Sequence, residues 1–225
     1  MKPYPILVAL AAVLVIVAHY LVFVHVPMEA TMGAVQRIFY FHVPSAMLCY
    51  LGFIGCFVAS IGYLLNRKAK WDAFAFASAE LGLVFGLIML TTGPLWARPV
   101  WGVWWNWEPR LTSASLLVLI FAAYWVLRSF GGAGEGVRRF AAVLAVFGTP
   151  NIYFVRLAVE RWGGVHPNTG VAMRSDPTIR ATMYICLAIL LLVFALLLVS
   201  RYRLHRDTLT VRALRRRLAR LGGLS

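Results

Sequence analysis

Residues 182–200 read TMYICLAILLLVFALLLVS. These nineteen residues carry no charge, no proline and no glycine, and a helix needs roughly 20 apolar residues to cross the hydrocarbon core of a bilayer. Five runs of similar character precede this one, at 5–24, 46–65, 73–92, 111–127 and 140–159. In a chain of 225 residues, 61% of them hydrophobic and with a mean hydropathy of +0.78, they leave no room for a separate soluble domain. A closed β-barrel would show short alternating segments instead, and none occur. The sequence therefore predicts an all-α polytopic membrane protein, a single six-transmembrane-helix bundle over 1–225. The first run is too long for a signal peptide and no small-x-small cleavage site follows it, so it is expected to stay.

The net charge of +14 does not mark a nucleic-acid binder, because the positions of the charges follow the membrane. Of the 22 lysines and arginines, 15 fall at Lys2, between Arg67 and Lys70, between Arg128 and Arg139, and after the sixth run. The other seven are Arg37, Arg98, Arg110, Arg156, Arg161, Arg174 and Arg180, in the alternate loops. Positive charge accumulates on the cytoplasmic side. Both termini are thus expected in the cytoplasm, with loops 25–45, 93–110 and 160–181 outside. The three cysteines, Cys49, Cys56 and Cys186, lie inside apolar runs, where small packing residues are expected rather than a disulfide framework.

The middle outer loop, 93–110, holds five of the chain's eight tryptophans between Trp96 and Trp107. An aromatic belt would spread tryptophans over both membrane faces, so so lopsided a cluster points to a platform for a large flat ligand. Read as a short helix, Trp101, Trp104 and Trp105 share one face, with Pro99 and Pro109 stiffening the segment. Arg98 and Arg110 flank it and could pair with carboxylates on the ligand; lipid headgroups or topology are their other reading. Two histidines fall in the neighbouring outer loops, His42 in RIFYFHVPSAM (37–47) and His166 in WGGVHPNTG (162–170). Iron in a porphyrin has two axial positions that imidazole fills, and two histidines closing over the tryptophan platform suit them. Gly163 and Gly164 offer a hinge beside His166, and Pro44 and Pro167 restrict the backbone behind the two histidines. His19 and His25 read as packing or interfacial residues, and His205 as a solvated one.

The stretch WGVWWNWEPRLT (101–112) resembles the tryptophan-rich signature of the haem-handling proteins of cytochrome c maturation. With the two histidine stretches, the length and the six helices, the chain is similar to the haem exporter protein C (CcmC) members of that superfamily. The resemblance covers about residues 30–200. It implies noncovalent haem b at the outer face of the bacterial cytoplasmic (inner) membrane, with His42 and His166 as axial ligands and Trp101, Trp104, Trp105 and Trp107 as the platform. Glu108 stands where the family has aspartate, which keeps the carboxylate with one more methylene. The resemblance further implies delivery of haem to a membrane-tethered haem chaperone (CcmE-like). It also implies work beside a small single-helix protein (CcmD-like) and ATP-binding-cassette subunits (CcmA-like and CcmB-like).

No Walker motif is present, so no enzyme is expected and any ATP hydrolysis would reside in a partner. A membrane b-type cytochrome for electron transfer is the competing class. It would need histidine pairs inside helices, and only His19 lies well within a run. Another haem-handling member of the superfamily is the remaining alternative. Glu80, inside the third run, is expected to pair with a neighbouring helix or to be protonated. The basic tail 201–225 places Leu214, Leu218 and Leu221 on one face. It is expected to lie as an amphipathic helix on the anionic lipid of the cytoplasmic leaflet.

Overall fold

The computed structural model describes residues 3–132, 134–162, 164, 166 and 176–222. The helices are α1 (Pro3–Tyr20), continued by a π-helical turn (Leu21–His25), then a 3-10 turn (Ala34–Ile38) leading into α2 (Phe39–Asn66). After these come α3 (Ala69–Trp101), α4 (Pro109–Phe130), α5 (Glu135–Gly148), α6 (Asn151–Trp162) and α7 (Pro177–Gly222). No strand occurs among the described residues, and six segments are long and apolar enough to cross a membrane. The fold class read from the apolar runs is the one observed.

Helices α2 and α3 form a tight hairpin. Arg67 adopts the left-handed conformation (φ 53°), its N–H donating to the Tyr63 carbonyl at 2.8 Å, and the chain turns back at once. Within the hairpin the backbones touch: a Cβ on Gly52 would lie 2.6 Å from the Gly82 backbone. Small residues that let backbones approach are how helices pack where lipid is as apolar as leucine. Around this contact a core forms from Leu48, Phe53, Phe85, Leu117 and Phe121, with Phe53 and Phe121 stacked 3.9 Å apart at 9°. Cys49, Cys56 and Cys186 are buried and unbridged, as small packing residues are. Helix α1 packs on α7, where the Tyr4 hydroxyl meets Ser200, and turns Ile6, Val13 and Ile16 outward.

Four boundaries differ from those read in the sequence. The fifth run, 140–159, is broken into α5 and α6, because Pro150 has no N–H to continue the ladder. The Thr149 N–H and hydroxyl both donate to the Ala145 carbonyl, and the helix restarts with Ile152 N–H on the Thr149 carbonyl. The sixth run does not stop at Ser200. Helix α7 continues without interruption for 46 residues, about 70 Å, because no glycine or proline lies between its two ends. The tail is therefore not a separate surface helix but the prolongation of the last span; the Leu221 side chain lies outside the described residues. Finally, α2 begins seven residues before the apolar count of the second run, and α3 ends nine residues after that of the third.

The basic ends of the helices carry the ion pairs. Asp72, in the first turn of α3, accepts from Arg128 of α4 at 2.8 Å, with Arg138 of α5 at 3.6 Å. Glu80 pairs with Arg201 (2.6 Å) and His205 (2.6 Å) of α7 and accepts from the Trp125 indole at 3.4 Å. Pairing with a neighbouring helix is the structural reading of Glu80. His205 is not the solvated residue the sequence suggested: it is largely buried against Glu80 and the Phe76 ring.

Candidate functional site

The early start of α2 places His42 in that helix's first turn rather than in a loop. Phe39 and Tyr40, next to it, are buried in a second apolar cluster with Val22, Trp96 and Met183, which fixes the turn. Pro44, the sixth residue of α2, lies inside the helix and leaves the Tyr40 carbonyl without its usual donor four residues on. His42 is only 8% exposed. Its Nδ1 lies 2.9 Å from the Thr92 hydroxyl, and that hydroxyl lies 2.6 Å from the Ile88 carbonyl. A carbonyl can only accept, so the Thr92 proton goes to Ile88 and the threonine oxygen accepts from Nδ1–H. The proton then sits on Nδ1 and the lone pair on Nε2, the form in which imidazole binds a metal. Gly93 lies beside the same ring, where a Cβ would come within 3.4 Å of the His42 Cε1, ordinary contact distance.

The tryptophan segment is built in two parts. Residues 93–101 are the last turns of α3, with Pro94 and Pro99 inside the helix. Gly102 ends it in the left-handed conformation (φ 76°), donating to the Arg98 carbonyl at 3.0 Å. The chain then runs without regular structure to Pro109, which opens α4. The segment is thus not the short helix expected through Trp105, yet Trp101, Trp104 and Trp105 all line one cavity of about 330 Å³. The other walls come from Tyr50 of α2, Met89 of α3, Leu111 of α4 and Val155 of α6.

His42 and His166 both line this cavity. Their ring centres are 6.3 Å apart with 38° between planes; Trp96 stands edge-on to His42 at 5.8 Å and Trp101 lies 6.4 Å from His166. A metal held between two imidazoles at bond lengths of about 2.1 Å puts the ring centres about 6 Å apart. No group of three or more histidine, cysteine or acidic side chains suited to a bare ion exists among the described residues. The arrangement suits a metal whose other positions are met by its own planar ligand. Trp96 and Trp105 also line the cavity, and their indole N–H groups are buried without a hydrogen-bond partner among the described residues. Buried donors want acceptors, and half-buried Arg110 adds a cation to the same wall. The donor set fits a flat apolar ligand with carboxylates.

Not every residue singled out in the sequence reaches the cavity. Arg98 turns back to donate to the Gly102 carbonyl at the end of α3. Trp107 is 80% exposed and meets Trp105 edge-on at 5.9 Å. Glu108 is buried (6% exposed) behind the tryptophans, its carboxylate filling the space where a Cβ on Gly164 (φ 143°) would sit, 2.5 Å away. Gly163 and Pro167 lie outside the described residues, as does Arg174. His19 stacks among Phe23 and Phe41 on the outside of the bundle, its Nδ1 2.8 Å from the Val15 carbonyl. Sequence reasoning missed Thr92, Trp96 and Tyr50. A pair of threonines closing an otherwise apolar run was the one available signal for the first.

Known proteins resemble this chain over most of its length. The family described as Heme exporter protein C matches residues 1–220. The Heme exporter protein C of Bradyrhizobium diazoefficiens is 32% identical over 195 residues, 87% of this chain and 73% of its own. That of Paracoccus denitrificans is 32% identical over 182 residues, covering 79% and 76%. That of Escherichia coli K12 is 32% identical over 179 residues, covering 79% and 73%.

Proposed function

The chain belongs to the haem exporter protein C family, and from that premise we propose that it holds haem b noncovalently at the outer face of the bacterial inner membrane. It then delivers that haem to a haem chaperone for c-type cytochrome biogenesis. The observation that carries this reading is the pair His42 and His166, 6.3 Å apart across a cavity walled by Trp101, Trp104 and Trp105. His42, its Nδ1 proton held by Thr92, offers Nε2 to one axial position, and His166 takes the other. The tryptophans cover the macrocycle, whose stacking suits broad rigid rings, while Arg110 and the indole N–H groups answer the propionates. Bound iron supplies the two open axial sites; the chain itself catalyses no turnover.

In the same reading both termini are cytoplasmic, as the charge bias requires, and ATP hydrolysis belongs to CcmA-like and CcmB-like subunits. A CcmD-like single-helix protein stands beside them. Trp104 and Trp107, 57% and 80% exposed, form the surface a CcmE-like chaperone meets while haem is still stacked. A b-type electron carrier would enclose its haem; these exposed rings favour transfer.

Detergent-purified protein made with ample haem should show a Soret band, and acid–acetone should extract the pigment. His42→Ala or His166→Ala should open an iron position, changing the spectrum until imidazole is added. Colourless protein, or an unaltered six-coordinate spectrum in both variants, would overturn the assignment.

A further inference from the structure

The end of the bundle opposite the tryptophans holds a second cavity, of about 570 Å³, that the haem reading does not use. Its charged lining is Arg128, Arg138, Arg201, Arg212 and His205 against Asp72 and Glu80. Four arginines face two carboxylates, and the internal pairing is uneven. Glu80 is taken by Arg201 and His205. Asp72 is taken by Arg128 at 2.8 Å, which leaves Arg138 at 3.6 Å, beyond hydrogen-bond reach. The Nε–H groups of Arg128 and Arg138 are buried with no hydrogen-bond partner among the described residues, although the Arg128 side chain is 93% covered (7% exposed). Arg212 makes no ion pair among those residues and reaches the cavity only because α7 runs on past Ser200. Arg128, Arg138 and Arg212 thus have one carboxylate, Asp72, among them, and the idle Nε–H donors leave room for a further anion.

Position narrows the anion's chemistry. Asp72 is in the first turn of α3, Arg128 in the last turn of α4 and Arg138 in the first turns of α5. Those helix ends are where the spans leave the hydrocarbon, at the depth of lipid headgroups. Phe76, Trp125, Phe130 and Leu209 supply apolar walls beside the charges. We infer that this cavity is a binding site for a phosphate group, either of an anionic lipid or free in solution, on the face where positive charge accumulates. The guanidinium fork matches phosphate oxygens two at a time.

The test uses the full-length protein in phosphatidylcholine nanodiscs and reads its thermal midpoint, since a ligand that binds only the folded state raises it. One arm titrates inorganic phosphate against chloride at constant ionic strength; the other mixes phosphatidylglycerol into the bilayer. Arg212→Gln removes an exposed, unpaired member of the cavity, and Arg215→Gln removes an equal charge from the same helix outside it. A rise with phosphatidylglycerol alone identifies a headgroup site, and a rise with inorganic phosphate as well identifies a site open to solution. In either case Arg212→Gln should weaken the response about tenfold, the loss of one charge-assisted contact, and Arg215→Gln should not. No midpoint shift in either arm, or equal responses from the two variants, overturns the site.

Discussion

Helix α3 touches two cavities with opposite chemistry, their centres about 30 Å apart along its axis. Around Trp101 the walls are aromatic and aliphatic, and the polar groups are few and directional, among them two imidazoles, two buried indole N–H groups, the Tyr50 hydroxyl and one guanidinium. Around Asp72 and Glu80 the walls are arginines held against carboxylates. The difference lies in how each end fails. A stacking surface loses its ligand one ring at a time, because each contact contributes separately. A buried ion-pair cluster fails at once, because removing one member strands the charge of another where water cannot reach it.

The sharpest way to break that contrast is at Asp72. Its side chain is 4% exposed and Arg128 opposite is 7% exposed, so Asp72→Ala leaves a buried guanidinium facing nothing. The expected cost is about 3–5 kcal/mol of folding stability, read as the largest fall in thermal midpoint of any variant named here. If Asp72→Ala melts no earlier than a tryptophan variant, the two ends do not differ in kind.

Smaller, and confined to the aromatic end, is the effect of Thr92→Val. The variant keeps the shape but not the acceptor for the His42 Nδ1 proton, so the imidazole loses its set tautomer. Haem affinity should fall about 10- to 100-fold, the usual weight of such an orienting partner, with a changed ligation spectrum and unchanged thermal midpoint of the haem-free protein. Thr92→Ser should restore the spectrum; failure to do so would reduce Thr92 to packing.

Next comes Trp104→Ala, and Trp105→Ala beside it. Each ring is worth about 1 kcal/mol of stacking, or roughly fivefold in haem affinity by titration. Equal losses at both would sharpen the graded picture, while a collapse of binding at either would replace it with a single anchor. The smallest change is expected at Trp107→Ala and Arg98→Ala, which lie outside the cavity. Less than about a twofold change in affinity is the outcome expected of a residue that buries no ligand surface. For Trp107, capture of the haem chaperone by co-purification is the assay that should respond instead.

The bundle was legible in the sequence because crossing a membrane is a matter of length and apolarity, which a single run displays without its partners. The helix ends were not. Counting apolar residues stops at Ala46, but Phe39–Phe41, packed with Val22 and Trp96, start α2 further out, with Pro44 accommodated inside the helix. The third run was read as ending at Thr92, yet α3 continues through Pro94 and Pro99 to Trp101 before Gly102 ends it. The candidate site was legible as residue types, two imidazoles flanking an aromatic cluster, because those types are rare. Its membership was not: Arg98 and Trp107 are neighbours in sequence of residues that line the cavity, but Arg98 turns back onto the end of α3 and Trp107 stays exposed beyond Gly102. The charged end was the least visible. Glu80 lies 121 residues from Arg201, and nothing near Glu80 in the chain announces that partner.

The interruption at Pro150 gives the wall containing Val155 a mechanical property. Helix α6 is 12 residues long, about 18 Å, pivoted at one end on a residue that cannot complete the helical ladder and ending four residues before His166. Such an arm amplifies: a rotation of about 10° at the pivot sweeps its far end through about 3 Å. An iron–imidazole bond is about 2 Å long and does not stretch by that much. If His166 holds haem iron as proposed, a swing of that size would be enough to draw it off the metal.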